Sequence, residues 1–336
     1  MKSSALSLGL KHMKFPPRLR GAIAWFRGAL AARPCAARMQ RVIERLGYSA
    51  GTKLLIIHAD DLGMAHSINR ASLLALEQGF VSSASLMIPC PWLSEVVEYV
   101  RTHPLADIGV HLTLTSEWNG YRWGPVAARE RVRSLLDEDG YFHADMWSAS
   151  RHAKPEEVEL ELRAQIDRAL ELNIQPTHLD SHMGVLFTRM ELYAVLIKVA
   201  HDYGIPFLSG LWKPSARMMS MLTERDFYLQ PVGPADPVPL DQIVSAYVKV
   251  IEDLQPGLHE MIVHPGYDGP ELKAITTGHL HMNSRRRQRD FDAISTQEFR
   301  RALEVNQVTL LRWRDLKALC IRHRPDEPLG KHEAAL

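Results

Sequence analysis

Apolar positions along this chain fall into short unbroken runs that alternate with longer stretches at helical spacing. The clearest run is Leu54 to Ile57, which continues through His58 and Ala59 into the adjacent acids Asp60 and Asp61, then Gly63. Such a run reads as a strand buried on both faces, the kind found in parallel sheets. Its polar end is then the carboxyl edge, where α/β proteins place their chemistry. Ser67 to Gln78 follows with helical spacing and stops at Gly79. Phe80 to Ile88 reads as a second strand, punctuated by Pro89 and Pro91, and Trp92 to Val100 as a helix. Ile108 to Thr115 is a third strand, with His111 where an apolar residue is expected.

Farther along, residues 116–150 are aromatic, Gly-containing and aperiodic, and so long a connection inside a compact domain is usually functional. Pro155 to Leu172 is a strongly periodic helix with Pro at its start and acids in its first turn. Pro176 to His182 reads as a short polar strand, Arg189 to Tyr203 as a helix, and Gly204 to Leu208 as another strand. Residues 209–240 read as loops with a short helix, and Leu240 to Leu254 as a longer one. Gly257 to Val263 is a strand that ends in His264, Pro265 and Gly266. Ser295 is read as the cap of a helix through Leu303, and Val308 to Leu311 as the last strand. This repeated alternation predicts a parallel barrel or a doubly wound sheet. No glycine-rich phosphate loop follows the first strand, which disfavours nucleotide binding.

Length and composition narrow the picture. With 336 residues and 46% hydrophobic content, the chain can bury a sizeable core. The expected organisation is one catalytic domain over 39–320, a basic extension over 1–38 and a short tail over 321–336. Residues 1–43 hold no Asp or Glu, which fits a targeting or membrane-surface helix, a disordered tail, or an upstream start before Met39. A non-catalytic extension is the favoured reading of the three. A net charge of +1 gives no reason to expect a nucleic-acid partner. Cys35, Cys90 and Cys320 form neither a disulfide framework nor a zinc knuckle, which fits a reducing, cytoplasmic compartment. The sequence leaves open a homodimer and weak membrane-surface contact through the extension.

The strand ends carry the candidate chemistry. Two neighbouring carboxylates are costly to bury unless a cation, hydrogen bonds or a shared proton offsets the charge. A His within a strand is more often a satisfied core residue than a ligand. One on the same sheet edge as an Asp pair is a natural ligand for a divalent ion. Alternation places His178, Asp180 and His182 on one side of their strand. One Asp with His111 and His182 would make a three-ligand set that leaves positions open for water and substrate. Trp118, Tyr121 and Trp123 could form a stacking surface for a sugar or anchor their loop. From the basic run 285–289, one arginine could reach the site.

The blocks HADDLG (58–63), GVHLTLT (109–115), PTHLDSH (176–182) and HEMIVHPGYD (259–268) together resemble the YdjC-type carbohydrate deacetylases. The resemblance runs from about residue 40 to about 315. It implies a single-domain, distorted (β/α) barrel and one divalent ion, magnesium or zinc. Carried over by position, it implies Asp61, His111 and His182 as metal ligands, Asp60 as catalytic base and His264 as general acid. Asp180, His178, His58, Arg287, Trp118 and Trp123 are then the surrounding or substrate-binding residues. The implied reaction is hydrolysis of an N-acetyl group on a small sugar or oligosaccharide. A sugar-binding barrel without turnover, or a metal-dependent phosphoesterase or glycoside hydrolase, are the alternatives. Gly184 stands where characterised members often carry His, and His58 where they carry Asn, so the substrate is not implied.

Overall fold

The computed structural model describes residues 38–210, 215–234, 238–279 and 282–321. The expectations for residues 1–37 and 322–336 lie outside them. The chain divides into Met1–Arg38 and a compact unit beginning at Met39. In that unit seven strands form one all-parallel sheet: β1 Lys53–Leu62, β2 Ser83–Leu86, β3 Ile108–Leu112, β4 Leu179–Ser181, β5 Gln230–Val232, β6 Gly257–Val263 and β7 Val308–Leu310. Their order is β4-β3-β2-β1-β6-β5, with β7 also paired to β1. A bridge from Leu179 to Phe207 extends the β4 edge. Among the described residues no pairing closes β5 onto that edge, so the sheet curls into an open barrel. This is the distorted barrel the sequence led us to expect.

The long first strand serves two neighbours on one edge. In a parallel ladder, carbonyls of like parity point the same way. The Leu55 carbonyl accepts from Leu311, beyond β7, and the Ile57 carbonyl accepts from Ser82, before β2. Thus β7 pairs with the first half of β1 and β2 with the second.

Alternation also decides which side chains fill the barrel. Leu55, Ile57 and Ala59 join the large core between sheet and helices, as do Ala84, Leu86, Val110, Leu112 and Leu179. The opposite parity faces the interior. There Leu54, Ile56 and Leu258 pack with Trp313 and Leu316, which close the amino end of the barrel. Continuing the same parity toward the carboxyl end gives His58 and Asp60 on β1, Ser83 and Ser85 on β2, and Gly109 and His111 on β3. Asp180 on β4 and Glu260 on β6 share that parity. All of these except Gly109 are buried polar residues, while Ile262, also of this parity on β6, is apolar and partly buried. Gly109 is required because a Cβ there would collide with the His178 imidazole. The barrel is therefore apolar at its floor and polar toward its mouth.

Some elements differ from the sequence reading. The second strand contracts to Ser83–Leu86 because the Phe80 and Val81 amides donate back to the Ala75 carbonyl, ending the preceding helix instead. Strand β5 lies inside the stretch read as loops; it contains Pro231, which only an edge strand tolerates. Thr296, not Ser295, caps the helix Gln297–Val305, accepting from the Phe299 amide, and Ser295 closes the preceding helix. The segment 204–208 contributes a single bridge rather than a strand. No helix among the described residues is long and apolar enough to cross a membrane.

Candidate metal centre

The site begins with an irregularity in β1. Ala59 pairs with Ala84 but Leu62 pairs with Leu86, so three steps on β1 face two on β2. That extra residue is a β-bulge, a device that re-aims side chains next to active sites. Asp61 sits in it with φ of 73°, a left-handed conformation that Asp tolerates better than most residues. In a regular strand Asp61 would point to the face opposite Asp60. The bulge brings its carboxylate round to the same interior, where Asp61 Oδ1 and Asp60 Oδ2 lie 3.5 and 3.8 Å from His111 Nε2. Gly63 follows with φ of 85°, and a Cβ there would lie 2.8 Å from Leu86 Cδ1 and 3.1 Å from the Met87 carbonyl. Only glycine fits.

Asp61, His111 and His182 meet in a near-equilateral triangle. Asp61 Oδ1 lies 3.5 Å from His111 Nε2 and 3.3 Å from His182 Nδ1, and the two nitrogens are 3.2 Å apart. Donors held at about 2.0–2.2 Å from one ion, at angles near 90–110°, stand about 3.0–3.5 Å apart. The three residues therefore fit a divalent ion. A second observation supports the fit: Asp61 Oδ1 is buried without a hydrogen-bond partner.

Each member of the triangle is held from behind. His111 Nδ1 donates to Asp180 Oδ1 at 2.6 Å. His182 Nε2 donates to Glu117, both of whose oxygens are 3.1 Å away. Because a carboxylate only accepts, the facing nitrogen carries the hydrogen and the other lone pair turns inward. Asp61 Oδ2 accepts from Arg287 Nη2 at 2.7 Å. Burial resists charge on His182, but Glu117 and Asp61 outweigh it and raise its pKa to about 9. Burial likewise opposes charge on His111, while Asp180 and Asp60 push it well above the usual imidazole value. For Asp61, burial is again the largest effect, yet the Arg287 charge and the two imidazoles hold it well below the carboxylate range. The cluster's field thus favours positive charge where the triangle lies.

Asp60 stands beside the triangle. Its Oδ2 is 3.8 Å from His111 Nε2 and 3.6 Å from His264 Nε2, and its Oδ1 is 3.1 Å from His58 Nε2. His58 Nε2 also lies 3.1 Å from Asp180 Oδ2 and 3.0 Å from Ser85 Oγ. Burial disfavours its charge, but its bonds to Asp180 and Asp60 raise its pKa to about 10, so it is an imidazolium between two carboxylates. His264, at the end of β6, keeps 29% of its side chain exposed. Burial lowers its pKa, with Asp60 and Asp61 pulling the other way.

The other expected residues lie farther back. His178 belongs to the floor, stacked on Trp313 at 4.8 Å, and burial keeps it neutral. Trp118 and Trp123 are 1% and 3% exposed, which removes them as an open stacking surface. Trp118 lies against the Arg287 guanidinium, 5.4 Å from ring centre to Cζ, and Trp123 Nε1 donates to the Thr115 carbonyl at 2.8 Å. Both anchor the loop after β3, the other role open to them in the sequence. Three residues at the site escaped the sequence reading. Ser85 was accessible in principle, since Ser83 and Ser85 alternate with apolar Ala84 and Leu86 on β2. Glu260 likewise has the inward parity of β6. Glu117 carries no local signal.

The fold and this cluster define an α/β barrel protein with a candidate metal centre at the carboxyl ends of its strands. The chain belongs to the YdjC-like protein family, whose profile matches residues 54–305. It is 35% identical over 290 residues to a carbohydrate deacetylase of Thermus thermophilus, covering 82% of this chain and 98% of that protein. It is 28% identical over 267 residues to a carbohydrate deacetylase of Brevibacillus brevis, covering 78% and 99% respectively. Among solved structures it resembles a candidate cellobiose-phosphate cleavage protein of Enterococcus faecalis, with a TM-score of 0.68 and 26% identity over 79% of this chain and 99% of that one.

Proposed function

We propose that this protein is a metal-dependent hydrolase that removes an N-acetyl group from a carbohydrate or related amide. The observation that carries the proposal is the inward-facing triangle of Asp61, His111 and His182 with Asp60 and His264 beside it. The deacetylase relatives support the reaction class. Asp61 Oδ1, His111 Nε2 and His182 Nδ1 would hold a magnesium or zinc ion. Such an ion polarises an amide carbonyl and acidifies water.

The remaining work falls to the chain's own residues. Asp60 is the base: one oxygen is fixed by His58, leaving Oδ2, on the side of the triangle, to take a proton from the attacking water. His264 is the acid. It is neutral at rest because burial lowers its pKa, so it must gain a proton before giving one to the leaving amine. Asp60 Oδ2, 3.6 Å away, is placed to supply it. The partial exposure of His264 keeps that nitrogen within reach of a substrate entering from the mouth. Adjacent Asp60 and Asp61 suit a glycosidase poorly, because its two carboxyls must flank the scissile bond about 5 Å or more apart.

The test is acetate release from a panel of N-acetylated mono- and oligosaccharides, with magnesium or zinc supplied. Asp60→Asn should lower turnover by at least 100-fold while leaving the metal content unchanged. Full activity in that variant would reject the base assignment. Release of phosphate or free sugar would favour bond cleavage of the kind attributed to the Enterococcus faecalis relative. Binding with no product at all would favour a sugar-binding barrel.

A further inference from the structure

Among the residues around the triangle, Glu117 differs in origin. The ligands and their other partners sit at strand ends or on a helix, whereas Glu117 lies in the loop that follows β3. We infer that Glu117 is a positioning residue for His182, and that through it the loop 116–124 completes the metal centre. The inference rests on the metal-site reading above and extends it to a residue and a segment outside the strand ends.

The geometry leaves Glu117 one role. Both of its oxygens face His182 Nε2, on the side of the ring away from Asp61 and His111. It therefore stands behind the ligand rather than within the triangle. Without it, nothing fixes which nitrogen of His182 carries hydrogen, and the ring can turn to present Nε2 or point its N–H at the ion. His111 has the matching arrangement with Asp180, and Asp61 with Arg287. Glu117 makes the third of these supports.

Its own position depends on the loop. Ser116 on one side is tied down by its amide, which donates to the His143 carbonyl at 2.9 Å, and by its hydroxyl, which accepts from the Trp123 amide at 2.9 Å. Trp118 on the other side is buried against Arg287. Tyr121 Oη donates to the Met64 carbonyl at 2.6 Å, binding the loop to the chain just past Asp61. Loop docking and ligand orientation are therefore one arrangement. By linkage, an ion at the triangle should hold the loop in place, and loosening the loop should weaken the ion by the same factor.

The experiment measures zinc affinity of the full chain by competition with a chromophoric chelator, for wild type, Glu117→Ala and Glu117→Gln. Loss of a partner behind a metal-binding His typically weakens affinity about 10–100-fold. Glu117→Ala should fall in that range and Glu117→Gln nearer its lower end, because an amide oxygen still accepts the N–H. Hydrogen exchange in residues 116–124 should slow on adding zinc to wild type and change much less in Glu117→Ala. Affinities of both variants within twofold of wild type would overturn the inference while leaving the metal site standing. No zinc binding by wild type would overturn the metal site and this inference together.

Discussion

A carboxylate buried beside another carboxylate must be matched by positive charge, and for Asp61 the match is Arg287. The pair is almost wholly buried, at 1% and 2% exposure, and its contact is 2.7 Å. Breaking such a pair by removing one partner typically costs about 3–5 kcal/mol, because the remaining charge is stranded. Arg287→Met should therefore destabilise the metal-free protein by that order. A divalent ion at the triangle would supply the missing charge, so excess zinc should recover part of the loss. Urea unfolding with chelator and with zinc checks this; an equal loss in both conditions would mean that Asp61 does not face the ion. Arg287 emerges from a basic run, and its neighbours there look much the same in sequence. Only its position on the inward side of the helix Ser284–Ser295 sets it apart.

The loop after β3 shows how one element is made to serve another. Helix Pro155–Glu171 buries Glu161 completely, and its two oxygens accept the Val126 and Ala127 amides at 3.0 and 2.9 Å. Gln165, one turn on, accepts from the Thr113 amide at 3.0 Å and donates to the Thr113 carbonyl at 2.8 Å, fixing the point where β3 gives way to the loop. A long segment without periodicity is thereby pinned by side chains of the helix, in addition to its own backbone bonds such as Phe142 N–H to the Trp123 carbonyl at 3.2 Å. Glu161→Ala leaves two amides without acceptors in a buried setting, each worth about 1–3 kcal/mol. The expected loss is about 2–6 kcal/mol, with faster proteolysis between residues 116 and 150. Cleavage at the wild-type rate would show that the loop is held by other contacts.

For the whole barrel, the polar column above the floor has a stability consequence. Burial raises Glu260 to a pKa of about 7, against the smaller lowering influence of His58 and the bond from Trp313 Nε1, 2.8 Å long. An unfolded Glu titrates near 4.3. Between those values the folded chain keeps a proton that the unfolded chain has lost, so this contribution is full below about pH 4 and declines as pH rises through about 7. Glu260→Gln keeps an acceptor for Trp313 and cannot ionise. Relative to wild type it should gain stability from pH 5 to pH 8, by about 1–3 kcal/mol. Unfolding curves at both pH values test the sign, and a difference that does not change with pH would refute it.

The choice of a barrel over a doubly wound sheet came with the family resemblance. A parallel α/β architecture and the strands β1, β3 and β6 were readable in the chain, because apolar runs and alternation are local properties of neighbouring residues. So were the residue types at the strand ends, and the four ordered blocks that placed the chain among YdjC-like proteins. Strand β5 was not readable, since its edge position accepts a proline and demands no apolar run. The bulge at Asp61, which brings its carboxylate to the same side as that of Asp60, arises from pairing with β2 and leaves no mark in the Asp-Asp pair itself. The partners of the triangle are less local still: Glu117 meets His182 across 65 positions, and Arg287 meets Asp61 across 226. The sequence by itself determined which strands form and which groups stand at their ends. Tertiary structure decided which nitrogen and which oxygen each group turns inward, because that choice belongs to partners that only packing brings together.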